Sequence, residues 1–155
     1  MGHKINPTSL SALQQAGFIP VIAPVGIGRD GMTYNINADV AAGALAGALS
    51  AEKLILLTDV AGVQNATGEL IHQLDATQAR RMISSGAIGA GMIPKVECCL
   101  DALRAGAVST HVIDGRLRHS VLLEVFTDAG VGTEVVERVA RTNSALRRTA
   151  ASRQA

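Results

Sequence analysis

Aromatic side chains are nearly missing from this chain of 155 residues: there is no tryptophan, one tyrosine and two phenylalanines. Single-stranded nucleic acid is gripped largely by stacking on such rings, so no nucleic-acid partner is expected. Net charge is scarce as well, at +1 with histidine neutral, and supplies no global field toward nucleic acid or an anionic membrane. No apolar run reaches spanning length. Residues 38–49 are the richest in small apolar side chains, and Gly43 and Gly47 have the spacing of a membrane dimer motif, but Ser50 and Glu52 interrupt the stretch. The opening Met1-Gly2-His3-Lys4-Ile5-Asn6 has no apolar signal core, and Asn6 stands where a myristoylation signal wants Ser or Thr. A cytoplasmic protein without a membrane partner is expected. The two cysteines, Cys98 and Cys99, are adjacent within a helical pattern. Their side chains would point about 100° apart, so reduced, packed thiols are expected rather than a disulfide or shared metal site. His3, His72, His111 and His119 lack ligand spacing and read mostly as surface or half-buried residues; no protein metal site is expected.

What is present is enough for a core: 48% of the residues are hydrophobic, in a length that suits one domain. Residues 7–16 read as a helix stopped at Gly17, and 18–25 as a buried strand with prolines near both ends. A turn-rich excursion over 26–31 leads to Tyr34-Asn35-Ile36-Asn37-Ala38-Asp39, and 38–49 reads as a helix. Lys53-Leu54-Ile55-Leu56-Leu57-Thr58 is an apolar run of strand length, as expected of an interior parallel strand. Helices are expected from about Asp75, as cap, to Gly86, and from Pro94 to Ala105, closed by Gly106. Residues 108–113 read as a strand, 120–126 as a short helix and 132–136 as the last strand. This alternation predicts an α/β fold with a mostly parallel sheet covered on both faces. Residues 1–136 form the expected domain, and 137–155 an arginine-bearing polar tail expected to stay loose.

Three places carry chemistry. Asn37 reads as a helix cap and Asp39 as a first-turn acid that complements the dipole. Asn35, on the same side of an extended segment, is left over by that structural account and suits a ligand. Thr58-Asp59-Val60-Ala61-Gly62-Val63 closes a strand, where open α/β sheets gather ligands, and reads equally as a polar turn. The third is Ser85-Gly86-Ala87-Ile88-Gly89-Ala90-Gly91-Met92-Ile93-Pro94-Lys95, a glycine-studded loop entering a helix. Pro94 suits the first turn, which puts Lys95 at the positive end of the dipole, where a cation is unfavourable unless an anion is near. Free N–H groups, glycines and a lysine together suit a phosphate. The loop is neither a Walker A motif nor a dinucleotide fingerprint.

These motifs, with His111-Val112-Ile113-Asp114-Gly115-Arg116, resemble the amino-acid kinase family, and within it the branch acting on N-acetyl-L-glutamate, from about Asn6 to Val136. The resemblance implies a three-layer αβα sandwich of the carbamate-kinase-like fold. It implies transfer of the ATP γ-phosphoryl group to the side-chain carboxylate of N-acetyl-L-glutamate, in arginine biosynthesis. By motif position, Lys95 would stabilise charge on the moving phosphoryl group, Asp39 would orient the catalytic lysines, and Asn35 with Asn37 would meet the substrate. Asp59, Val60, Gly62, Val63, Ile88 and Gly89 would line the nucleotide site, with Mg²⁺ mainly on phosphates and waters. In arginine-inhibited members the segment resembling His119, Glu124 and Gly132 belongs to an L-arginine effector site. The local alternative is an amphipathic helix with a solvent-facing Glu124.

Family members open with a strand ending in Lys and paired glycines, which has no counterpart before Met1, and Ala90 stands for a common loop glycine. The expectation is therefore the carboxyl, nucleotide-binding half of the fold, with the amino-terminal part missing. Two functions stay open: an acetylglutamate-type kinase, or a non-catalytic nucleotide-binding or assembly fragment. Unpaired sheet edges predict a homo-oligomer.

Overall fold

The computed structural model describes residues 5–127 and 130–137. Eleven elements follow along these residues: α1 (Thr8–Gln15), β1 (Val25–Ile27), β2 (Thr33–Asn35), α2 (Ala38–Ala48), β3 (Lys53–Thr58), β4 (Gln73–Asp75), α3 (Ala76–Ser84), α4 (Ile93–Ala105), β5 (Ser109–Asp114), α5 (Ser120–Phe126) and β6 (Thr133–Val136). The polar tail predicted for 137–155 lies outside the described residues except for Glu137.

Local chemistry sets the helix ends. Asn37 caps α2 by accepting the Val40 N–H at 3.2 Å. Asp75 and Gln78 form a reciprocal capping box at the start of α3, which satisfies two otherwise orphaned backbone donors. Gly106 ends α4 in the left-handed region at φ 118°, where a side chain would be strained. Gly17 does the same beyond α1 at φ 82°.

Four strands form one sheet in the order β3-β5-β6-β4. β3 runs parallel to β5 and β4 parallel to β6, while β5 and β6 are antiparallel, so two of the three pairings are parallel. Leu54, Leu56, Leu74, Val112 and Val135 point to one side of the sheet, into a core shared with Ala46, Ala79, Val96, Cys99 and Leu103 of the helices α2, α3 and α4. By the strand period of two, His111 points to the other side, where it meets Glu124 of α5. Helices thus cover both faces, giving the three layers expected. No helix among the described residues is long and apolar enough to cross a membrane.

The expectation for residues 18–25 is corrected. They form no buried strand: Ile19 is 91% and Val21 97% exposed, and only Val25 enters a strand, pairing in the separate hairpin β1–β2. Pro20 and Pro24 withhold N–H groups, and among the described residues no strand pairs with residues 18–24, so the apolar composition of this segment is not matched by burial. The three-residue β4 was not foreseen; it is held by Glu134 N–H donating to His72 C=O at 2.9 Å and by the β6 pairing.

Candidate phosphate-handling site between two helix starts

Helices α2 and α4 lie side by side because small residues let them. A methyl added to Gly47 would come 2.3 Å from Ala105 Cβ, and one added to Gly43 would come 2.8 Å from Cys98 Sγ. The alanine- and glycine-rich composition of α2 is therefore a packing requirement. Both helices start at the same end of this contact. Asp39, the second residue of α2, accepts a 2.9 Å hydrogen bond from Lys95 Nζ, the third residue of α4. The two side chains are 26% and 21% exposed, so solvent and a ligand can reach them.

One turn farther along α4, the Cys98 thiol donates to the Asp39 carbonyl oxygen at 2.9 Å. Burial, followed by the nearby Asp39 charge, pushes this thiol up to about 11, and burial pushes Cys99 up to about 12. Both are free cysteines, as the sequence predicts, and both are held protonated. Cys98 was not foreseen as part of this cluster. The available signal was its position three residues after Lys95, on the same helix face.

The unfavourable position of Lys95 at the positive end of α4 is thus offset by Asp39. An ammonium has three donors, and Asp39 takes one, which leaves two for an anion. The loop before α4 tightens through Met92 N–H to Gly89 C=O at 2.8 Å. Methyls added to Gly89 or Gly91 would meet nothing within 4 Å, whereas Gly86 needs its φ of 71°. Open space above exposed backbone fits close approach by a phosphate.

At the end of β3, Asp59 and Val60 are exposed. Beyond them the chain is fastened: Val63 N–H donates to Thr133 Oγ1 at 2.8 Å, and Gly62, at φ 146°, has no room for a side chain beside that hydroxyl. Val63 and Ile88 are buried, at 0% and 3%, so these two present only main chain to a ligand. Asn35 ends β2 with an exposed side chain, and Asn37 is occupied as a cap. At the end of β5, Asp114 is clamped by Arg116 through two side-chain bonds of 3.0 and 2.9 Å, which hold its carboxyl below the usual range.

A second polar cluster lies across the sheet. His111 Nδ1 is 2.6 Å from Glu124 Oε1, with both side chains nearly inaccessible. Glu124 Oε2 accepts the Val131 N–H at 2.7 Å. Ser109 Oγ donates to the Glu52 carbonyl at 3.0 Å and lies 3.0 Å from His111 Nε2. These findings correct two expectations: His111 is a buried, bonded histidine, and Glu124 faces inward. Residues 111 and 124 have no revealing sequence separation; only the fold brings strand β5 under α5. Glu124 and Gly132 border a cavity of about 260 Å³ together with His111, His72 and Lys53. His119 does not border it; it sits exposed before α5 and accepts from Arg118.

The fold and the helix-start cluster belong to an α/β protein with a parallel-rich sheet, and comparison with known proteins makes the family definite. Residues 3–114 match the model of the Amino acid kinase family, and the chain belongs to that family. It is 56% identical over 132 residues to the acetylglutamate kinase of Geobacter sp. strain M21, covering 85% of this chain and 45% of that protein. Against the acetylglutamate kinase of Syntrophus aciditrophicus the identity is 58% over 133 residues, with 86% and 45% covered. The chain therefore spans about half the length of the curated relatives it matches. Among solved structures it is similar to N-acetylglutamate synthase from Neisseria gonorrhoeae complexed with coenzyme A and L-arginine, at a TM-score of 0.82 and 28% identity, covering 88% of this chain and 32% of that one.

Proposed function

We propose that this chain is the nucleotide-binding part of an acetylglutamate kinase, which transfers the γ-phosphoryl group of ATP to the side-chain carboxylate of N-acetyl-L-glutamate. The observation that carries this reading is the Lys95–Asp39 pair at 2.9 Å, held across two helix starts. Phosphoryl transfer asks mainly for positioning and for neutralising charge on the equatorial oxygens. Asp39 orients the ammonium, and the donors of Lys95 that Asp39 does not use meet the moving group. Asn35 offers an amide to the acceptor substrate, and Asn37 fixes the chain between them. Asp59 and Val60 meet the nucleotide through exposed side chains, Gly62, Val63, Ile88 and Gly89 through the main chain. Mg²⁺ fits this donor set as an ion carried on the phosphates, since it keeps several waters and needs few carboxylates; Asp59, exposed after β3, is available to its water shell. A cytoplasmic place in arginine biosynthesis accords with this activity.

The test is ADP release with ATP, Mg²⁺ and N-acetyl-L-glutamate. Lys95→Ala is expected to lower turnover by about 10²–10³-fold, the usual cost of removing one transition-state donor, while ATP still binds. Unchanged turnover in this variant overturns the assignment of Lys95.

The coverage of about half of each relative favours a second reading, a non-catalytic nucleotide-binding or assembly fragment. ATP binding without any acetylglutamate-dependent ADP release selects it. L-arginine as an effector is the finer reading of the cavity beside Glu124 and Gly132. A guanidinium entering there would exchange places with His111 as the partner of the Glu124 carboxylate.

A further inference from the structure

Two side chains on one face of α4 reach the same residue of α2. Lys95 Nζ holds the Asp39 carboxylate, and the Cys98 thiol, three positions later, donates to the Asp39 carbonyl oxygen, both at 2.9 Å. Asp39 C=O and Gly43 N–H have the i, i+4 spacing of a helical bond, and that N–H also bears on the sulfur. The thiol therefore lies against the first turn of α2. Gly43 leaves the space for it: a methyl there would come 2.8 Å from Sγ. A carbonyl oxygen has two lone pairs, so it can accept from the thiol as well as from its own helix. Cys99, buried more completely, bears on Thr110 of β5 instead.

An ion pair alone fixes a distance. Tied only through its carboxylate, Asp39 could swing about its side-chain bonds or ride on a shifted α2, and the remaining donors of Lys95 would turn with it. A second attachment, on the main chain of the same residue, fixes where the Asp39 backbone sits against α4. We propose that Cys98 is a positioning residue for phosphoryl transfer: by holding the Asp39 carbonyl it sets the carboxylate that aims Lys95. Cys98 is itself buried, at 7%, and acts through Asp39. Catalysis needs this kind of support because small displacements of a group that meets the transition state are costly. The role in the reaction rests on the kinase reading given above, whereas the hold on the Asp39–Lys95 pair rests on the contacts alone.

The test is acylation of Lys95 in the full chain by N-hydroxysuccinimidyl acetate, quantified by mass spectrometry against the exposed Lys53 of the same molecule. Held on Asp39 and 21% exposed, Lys95 is expected to react more slowly than Lys53. Cys98→Ala is expected to raise the Lys95 to Lys53 ratio about threefold or more, the scale of one lost hydrogen bond. Cys98→Ser also removes the sulfur but keeps a donor, and is expected to stay within about twofold of wild type. Cys99→Ala hollows the core without touching Asp39, so it is expected to lower the urea midpoint and leave the ratio unchanged. Acetylglutamate-dependent ADP release is expected to follow the same order, with kcat about three- to tenfold lower in Cys98→Ala and KM for ATP unchanged. A wild-type chain that releases no ADP overturns the kinase reading and with it the catalytic consequence of Cys98; the acylation ratio judges the hold on the pair in either case. An unchanged ratio in Cys98→Ala, the same ratio in Cys98→Ala and Cys98→Ser, or an equal rise in Cys99→Ala overturns the proposal.

Discussion

Cys98 shows how much one side chain can do without reacting. Its thiol reaches past Gly43 to the Asp39 carbonyl while Lys95, one turn before it, holds the Asp39 carboxylate. Burial keeps Cys98 and Cys99 protonated up to about 11 and about 12, above the ordinary thiol range. The folded chain consequently keeps protons that the unfolded chain sheds once the pH passes the ordinary thiol value, so stability contributed by the neutral thiols declines as pH rises through that window. Urea midpoints taken at pH 8, 9 and 10 are expected to fall at the top of this series, and native thiols to resist an aromatic disulfide reagent at pH 8 that labels both in urea. A native chain that labels at the unfolded rate would contradict the burial described. Asp39 and Lys95 were legible as single residues because helix-start chemistry marks them. Their mutual contact, across 56 residues of sequence, was legible only through family resemblance.

At the scale of elements, local signals carried furthest. The cap at Asn37, the box at Asp75 and Gln78, and the stop at Gly106 each involve groups within a few residues of one another, so the sequence predicts those helix ends closely. β4 has three residues and depends on β6, about 60 positions away, and no local pattern announces it. The same holds for the His111–Glu124 pair, which needs β5 and α5 to be stacked first. The α2–α4 contact can be tested at this scale. Gly47→Val places carbon where Ala105 already is and is expected to cost about 1–3 kcal/mol through overpacking, read as a lower urea midpoint. Gly89→Ala, whose added methyl meets nothing within 4 Å, is expected to leave that midpoint in place. Equal destabilisation by the two would argue against close helix packing.

Over the whole molecule, burial is uneven. The sheet and its helices share one core, whereas α1 has no buried residue and Phe18, Ile19, Val21 and Ile27 are 63–97% exposed. The expected strand at 18–25 has the right composition for burial, but among the described residues no strand lies beside 18–24, and composition cannot reveal whether a neighbour is there. Segments with few buried contacts open first. Thermolysin is therefore expected to cut within residues 17–27 before it cuts anywhere in 53–127, with the fragments identified by mass spectrometry. First cleavage inside α4 or β5 would contradict this order.

Where two helix backbones approach so closely that a glycine leaves space only for hydrogen, neither can rock against the other. The ammonium at 95 and the carboxylate at 39 consequently ride on a single rigid body. Any adjustment to a ligand at these helix starts would fall to the glycine loop and the strand-end turn, while the backbones that carry the charged pair keep their spacing.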